Sequence, residues 1–175
     1  MIEMMKIDKV CKMLRGKSIT KKEKIDGNIP VIAGGQNPAY YVNKYNREGE
    51  TIVVAGSGAY AGYISYWDSP IFVSDAFSIE PNDMLNTKYV FYYLKHKQDY
   101  IYSLKKGAGV PHVYIDDISR LKIPVPPIEV QNYVVYILDK FSKYTNDTND
   151  GLLKEINLRK KEYEYYRGKL LDFRK

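Results

Sequence analysis

A chain of 175 residues can bury one hydrophobic core and carry one appended element, and is short for two independent domains. Hydrophobic residues make up 45% of it, yet runs such as Ile52-Val53-Val54-Ala55 fall far short of a bilayer span, so no membrane partner is expected. The formal charge of +6 is gathered at one end: residues 1–24 hold eight Lys/Arg against three Asp/Glu, while 25–127 are nearly balanced, a distribution that suits a phosphate-bearing partner without requiring one.

The opening Met1-Ile2-Glu3-Met4-Met5-Lys6 lacks the basic stretch, apolar core and cleavage site of a secretory leader, so the chain is expected to stay in the cytoplasm. Over residues 3–14, Met4, Ile7, Val10, Cys11 and Leu14 share one helical face before Gly16, which predicts a short amphipathic helix. Cys11 has no partner cysteine and reads as a small buried residue beside that helix. One cysteine with His96 and His112 cannot assemble a zinc site, so no metal is expected.

From there to about residue 80, short β-branched or apolar runs are cut by Gly, Pro and Asn: Ile29-Pro-Val-Ile-Ala, Thr51-Ile-Val-Val-Ala, Ala61-Gly-Tyr-Ile-Ser-Tyr-Trp, Ile71-Phe-Val-Ser and Phe77-Ser-Ile-Glu-Pro. They read as strands of a mixed or antiparallel sheet. Residues 86–104 lack Gly and Pro and open on the capping pair Asn86-Thr87, which predicts one helix or two consecutive ones. A Gly-rich loop over 105–113 and a short segment over 116–123 follow, and the stiff Pro124-Val-Pro-Pro closes the body. Beyond it Val130, Val134, Ile137, Phe141 and Tyr144 recur at alternating four- and three-residue steps, as a helix facing one seam requires. The pattern is expected to break at Thr145-Asn-Asp-Thr-Asn-Asp-Gly and to resume with Leu152, Ile156, Arg159, Tyr163, Tyr166, Leu170 and Phe173. Such a stripe either packs on its own domain or pairs with a second copy, and its length favours the interface.

Three features imitate catalytic motifs. Gly56-Ser-Gly58-Ala-Tyr-Ala61 follows a strand and matches the letters of a dinucleotide fingerprint. In that fold the last position opens a helix, whereas here Gly62-Tyr-Ile-Ser-Tyr-Trp reads as a strand, so a Gly-rich hairpin or bulge is the better reading. Asn37-Pro-Ala-Tyr40 resembles the Asn-Pro-Pro-Tyr loop of amino-methyltransferases without its second proline, and no domain is left to hold S-adenosylmethionine. His96 and His112 lie too far in sequence from any nucleophile to suggest a triad.

Several segments in order resemble the specificity subunit of type I restriction-modification systems, in particular one of its target-recognition domains with the helical region that follows. They are Gly34-Gly-Gln-Asn-Pro-Ala-Tyr-Tyr-Val-Asn-Lys-Tyr-Asn, Gly49-Glu-Thr-Ile-Val-Val-Ala-Gly-Ser-Gly-Ala-Tyr-Ala-Gly, Trp67-Asp-Ser-Pro-Ile-Phe-Val-Ser-Asp-Ala-Phe, Gly107-Ala-Gly-Val-Pro-His, Ile123-Pro-Val-Pro-Pro-Ile-Glu-Val-Gln131 and Arg159-Lys-Lys-Glu-Tyr-Glu-Tyr-Tyr-Arg-Gly-Lys-Leu-Leu-Asp-Phe173. Ile128-Glu-Val-Gln and Glu162 depart from the commoner Leu-Glu-Glu-Gln and Gln. The full-length subunit of that family looks like two such halves in tandem, so the resemblance implies a non-catalytic half-subunit that forms a homodimer, reads a two-part inverted repeat in double-stranded DNA and recruits methyltransferase subunits, to which a restriction subunit can be added.

The expectation is therefore an α+β target-recognition domain with a mixed β-sheet over residues 1–126 and a helical, coiled-coil-like dimerisation region over 127–175. Base edges need paired donors and acceptors, which Gln36, Asn37 and Asn43 carry, and phosphates need the cations, hydroxyls and free amides of Lys17, Lys44, Ser57, Lys105, Lys106 and Gly107. Tyr40, Tyr60 and His112 complete the expected DNA face. Val134, Ile137, Phe141, Leu152, Ile156, Tyr163, Tyr166, Leu170 and Phe173 form the expected dimer interface. No cofactor is expected. Two rivals are a nucleotide-dependent enzyme built on the Gly56–Ala61 loop and a dimeric regulatory protein that does not touch DNA.

Overall fold

The computed structural model describes residues 2–20 and 25–171. They fall into two compact units, Met1–Val135 and Tyr136–Lys175, so the first two turns of the C-terminal helix belong to the body. The expected amphipathic helix over 3–14 does not form. The segment makes β1 (Glu3–Lys6), a single helical turn α1 (Ile7–Val10) and β2 (Cys11–Arg15). Ile7 and Val10 suit either reading, because residues three apart share a helical face, but Met4 is 50% exposed and so shares no buried face with them. What overrides the helical spacing is pairing: each flank gains an antiparallel ladder against a distant strand.

The strands that follow are β3 (Ile29–Ile32), β4 (Tyr40–Val42), β5 (Thr51–Ala55), β6 (Ile64–Trp67), β7 (Phe72–Val73) and β8 (Ala76–Pro81). Two consecutive helices, α2 (Thr87–His96) and α3 (Gln98–Ser103), occupy the predicted helical stretch, and Asn86 caps α2 by accepting from the Tyr89 amide. A short α4 (Ile115–Ser119), β9 (Lys122–Val125) and the long α5 (Ile128–Leu171) complete the chain. Among the described residues three sheets result, in strand order β1-β9, β2-β8-β5-β6 and β4-β3-β7. All pairings are antiparallel except the parallel β3–β7. This is an α+β fold of mixed sheets.

Strand β5 is buried at every position. Ile52 and Val54 face the main core with Ile79, Val90, Leu94 and Ile101, whereas Val53 faces a second cluster of Ile32, Ile71 and Val73. Alternate side chains of one strand thus serve two cores, which is why its sequence is continuously apolar. The two-residue β7 is held by Asn46, whose side-chain amide donates to the Val73 carbonyl at 2.8 Å and accepts from the Val73 amide at 2.7 Å. The neighbouring Arg47 is half-buried over the β2–β8 pair. It donates to Ser78 Oγ at 2.6 Å and to the carbonyls of Asn46, Leu14 and Arg15.

Helix α5 runs unbroken through 145–151, where a loop was expected. Thr, Asn and Asp are only weak helix formers, each costing a fraction of about 1 kcal/mol, and without a proline they do not stop a helix that is otherwise favourable. Its start is fixed by Pro127, whose carbonyl accepts from the Val130 and Gln131 amides. Gln131 is fully buried and joins three chain segments: Nε2 donates to the carbonyls of Met84 at 2.9 Å and Pro126 at 2.8 Å, and Oε1 accepts from the Asn86 amide at 2.8 Å. Among the described residues no helix is long and apolar enough to cross a membrane.

Replacing Gln131 with Leu leaves those backbone groups buried without partners, and urea unfolding should show a loss of roughly 3 kcal/mol. An unchanged midpoint would mean that the amide does not carry this junction. Cys11 is buried beside α1, and burial pushes its thiol up to about 12. A thiol reagent at pH 8 should therefore leave the folded chain unmodified and react fully once urea is added.

Candidate nucleic-acid interface

Four loops meet where the strands of the two larger sheets end. The Gly56 turn lies between β5 and β6 and is held from the opposite side by the segment before α4: the Val113 amide donates to the Gly56 carbonyl at 3.0 Å and the Gly58 amide to the Pro111 carbonyl at 2.9 Å. Lys106 and His112 exchange two backbone bonds, at 2.9 and 2.8 Å, which close the 107–111 loop. The Gly16 and Lys17 amides donate to the Ala76 and Val73 carbonyls, and the Gly56 amide donates to the Asp75 carbonyl. Gly34 rests on the Ser57 carbonyl so closely that a Cβ there would stand 2.4 Å from the oxygen. Gly62 closes the turn at φ +85°, with Ile101 and Val113 filling the space a side chain would need. No helix opens after Ala61, so the dinucleotide reading of this loop lacks its phosphate-binding element.

This arrangement brings together Lys17, Gln36, Asn37, Tyr40, Ser57, Tyr60, Lys105, Lys106, Gly107 and His112. Lys17, Gln36, Asn37, Lys106 and Gly107 are exposed, while Tyr40, Ser57, Lys105 and His112 are half-buried. Tyr60 is 46% exposed, enough to offer a ring face. Asn43 and Lys44 do not join them. Tyr40 pairs with Val31 and Val42 with Ile29, so Asn43 and Lys44 leave the far end of β4, near Ile25. Lys44 Nζ lies 5.7 Å from the Phe72 ring centroid there. His96 is exposed on α2, away from these loops in the chain.

Two of the lysines are held in place. Lys105 Nζ donates to the Ala59 carbonyl at 2.8 Å and stands 4.4 Å over the Tyr102 ring. Burial, then the neighbouring Tyr63, Asp99 and Tyr60, pushes the Tyr102 phenol up, which keeps this aromatic group neutral. Lys106 Nζ pairs with Asp117 Oδ1 at 2.5 Å, while Asp117 Oδ2 is buried with no hydrogen-bond partner. A phosphate would have to draw Lys106 out of that pair.

Between these loops lies a cleft of about 320 Å³, lined among others by Arg15, Ser18, Asp75, Phe77, His112 and Tyr114. The rings of His112 and Tyr114 stack with centroids 5.9 Å apart and planes 16° from parallel. Arg15, Ser18, Asp75 and Tyr114 were not singled out from the sequence. The signal available was Ser74-Asp75, a polar pair interrupting two apolar strand runs.

In the C-terminal part, Val134 packs against the body core, Ile137 is half-buried and Phe141 is 63% exposed. The side chains of Leu152, Ile156, Tyr163, Tyr166 and Leu170, and the whole of Phe173, lie outside the described residues.

Residues 2–158 match the family of type I restriction modification DNA specificity domains. The chain belongs to this family. A putative type I specificity subunit of Mycoplasma pneumoniae is 26% identical over 179 residues, covering 98% of this chain and 58% of the relative. The EcoR124I/EcoR124II specificity subunit of Escherichia coli is 38% identical over 103 residues, covering 58% of this chain and 26% of the relative. Among solved structures, the type I restriction-modification S subunit from M. genitalium superimposes with a TM-score of 0.74 at 22% identity, over 98% of this chain and 47% of that one, and so shares the fold. This specificity-domain chain thus spans between about a quarter and three-fifths of the length of these proteins.

Replacing Gly34 with Ala drives a methyl group into the Ser57 carbonyl and forces the 34–37 loop off the Gly56 turn. The variant should unfold at lower urea, by roughly 1–3 kcal/mol. Equal stability would mean that the two loops are not in contact.

Proposed function

We propose that this specificity-domain chain is the non-catalytic DNA-recognition component of a type I restriction-modification methyltransferase complex and reads duplex DNA with the loops around Gln36, Ser57 and His112. The observation that carries this is the meeting of the 16–18, 34–37, 56–60 and 105–112 loops at one edge, with lysines and amide side chains exposed beside backbone glycines. Lys17, Lys105 and Gly107 suit phosphate contacts, which set register, Gln36, Asn37 and Tyr40 suit base edges, and Ser57, whose hydroxyl donates to Asp75, stands between them. Asn43 and Lys44 serve as flanking contacts at the other end of β4. Methyltransferase subunits supply the chemistry, and a restriction subunit joins them where cleavage occurs. Residues 1–126 are the target-recognition domain and 127–175 the helical spacer, whose first two turns belong to the body.

Because apolar residues recur along the C-terminal helix at alternating four- and three-residue steps, two copies are proposed to pair through it, along one seam of Ile137 and Phe141 continued by Leu152, Ile156, Tyr163, Tyr166, Leu170 and Phe173. Each copy then takes one half of an inverted repeat. With Val134 engaged by the body core, the seam begins at Ile137.

Titrating the chain with duplex DNA at increasing salt should show affinity falling steeply. Lys17→Ala should weaken every sequence alike and lower the salt slope by about 1, whereas Gln36→Ala should weaken only the preferred sequence. Affinity that ignores salt would overturn the phosphate contacts. Substituting Ile137 and Phe141 with Glu should yield a monomer by light scattering; a dimer that survives would remove this seam from the interface.

A further inference from the structure

We propose that Asp75 is a specificity-determining residue whose carboxylate accepts a hydrogen bond from the exocyclic amino group of one base, cytosine or adenine, in each half-site. This deepens the DNA-reading function proposed above and rests on it. Asp75 joins β7 to β8, is exposed, and lines the cleft with Arg15, Ser18 and His112. Its backbone is fixed by the bond its carbonyl accepts from the Gly56 amide at 3.2 Å. Its side chain is fixed by Ser57, whose hydroxyl donates to Oδ2. Among the described residues no cation lies within ion-pair distance of the carboxylate, and Oδ1 accepts no other bond.

A carboxylate with no cation beside it, on a surface that apart from the paired Asp117 offers lysines, hydroxyls and glycine amides, has one of two consequences for a polyanion. Against a phosphate it repels. Against a base it needs a donor, and in the major groove only cytosine N4 and adenine N6 supply one. The guanine O6 and N7 and thymine O4 atoms are acceptors, and a carboxylate brought against them stays unsatisfied. An acidic group in this place therefore works by rejecting guanine and thymine. Ser57, by occupying Oδ2, leaves Oδ1 as the atom for a base and acts as the positioning residue for Asp75. The stacked His112 and Tyr114 rings form the adjoining wall of the cleft and limit the angle at which a base edge can enter.

Selection from randomised duplexes, followed by sequencing, tests this with the full chain in complex with its methyltransferase subunits. The wild-type complex should enrich a motif with cytosine or adenine at the position Asp75 reads, and the enriched base tells which amino group it is. Asp75→Ala should lose that preference about tenfold or more while the other positions stay unchanged, and its affinity for unrelated DNA should rise because a negative charge is gone. Asp75→Asn, which keeps the size and the bond to Ser57, guards against a folding defect and should lose the preference at the same position. A wild-type motif that both variants reproduce unchanged would overturn the role of Asp75 alone. A wild-type complex that enriches no motif would overturn the DNA-reading function and this inference with it.

Discussion

A loop that shows its side chains to the outside must still keep its own backbone amides and carbonyls bonded, and the loop edge of this domain meets that requirement. The Gly56 turn meets it by borrowing partners from a segment more than fifty residues away: Pro111 and Val113 supply the carbonyl and the amide that a neighbouring strand would otherwise provide. The bond from Gly56 to Asp75, the two Lys106–His112 bonds and the close seat of Gly34 on Ser57 extend the same logic. The proposed recognition surface is therefore a set of loops cross-braced by backbone, so that side chains can vary while the frame stays fixed.

The layers beneath explain how such loops come to be adjacent. Strand β5 sends alternate residues into two cores and so pulls the three-stranded and four-stranded sheets together, which brings the end of β3 beside the β5–β6 turn. Arg47 and Asn46 reinforce this union with hydrogen bonds to backbone that the short β7 and the β2–β8 pair leave available. Gln131 does the corresponding service at the other end, tying the first turns of α5 to the entry of α2. Gln131 is buried and Asn46 and Arg47 are half-buried where backbone groups need partners, and their energetic role is to avoid leaving those groups unbonded.

Much of this was legible from the residues. Period-two and continuous apolar runs marked β3, β5, β6, β7 and β8, Asn86 marked the start of α2, and the Gly-x-Gly sequence read correctly as a turn between strands. Two features were not. The residues from Met4 to Leu14 carry a helical spacing that local reasoning honours, but β1 and β2 exist because β9 and β8 lie ready to pair with them, which is information held more than sixty residues away. The Thr145–Gly151 stretch has the composition of a loop and is helical, because weak formers without proline only weaken a helix. For the site, the lysines and amides were visible as types. The separation of Asn43 and Lys44 from the rest, the ion pair that occupies Lys106, and the presence of Asp75 in the cleft depend on strand register and loop bracing, which no spacing reveals.

The central claim is that one braced edge, and no other face of the body, meets the double helix. Hydrogen–deuterium exchange of the chain with and without a bound duplex tests it most directly. Exchange should slow in residues 16–18, 34–40, 56–60 and 105–112 and stay unchanged along β1, β9 and the exposed side of α2. Protection confined to those latter elements, with the four loops exchanging as they do in the free chain, would contradict the account.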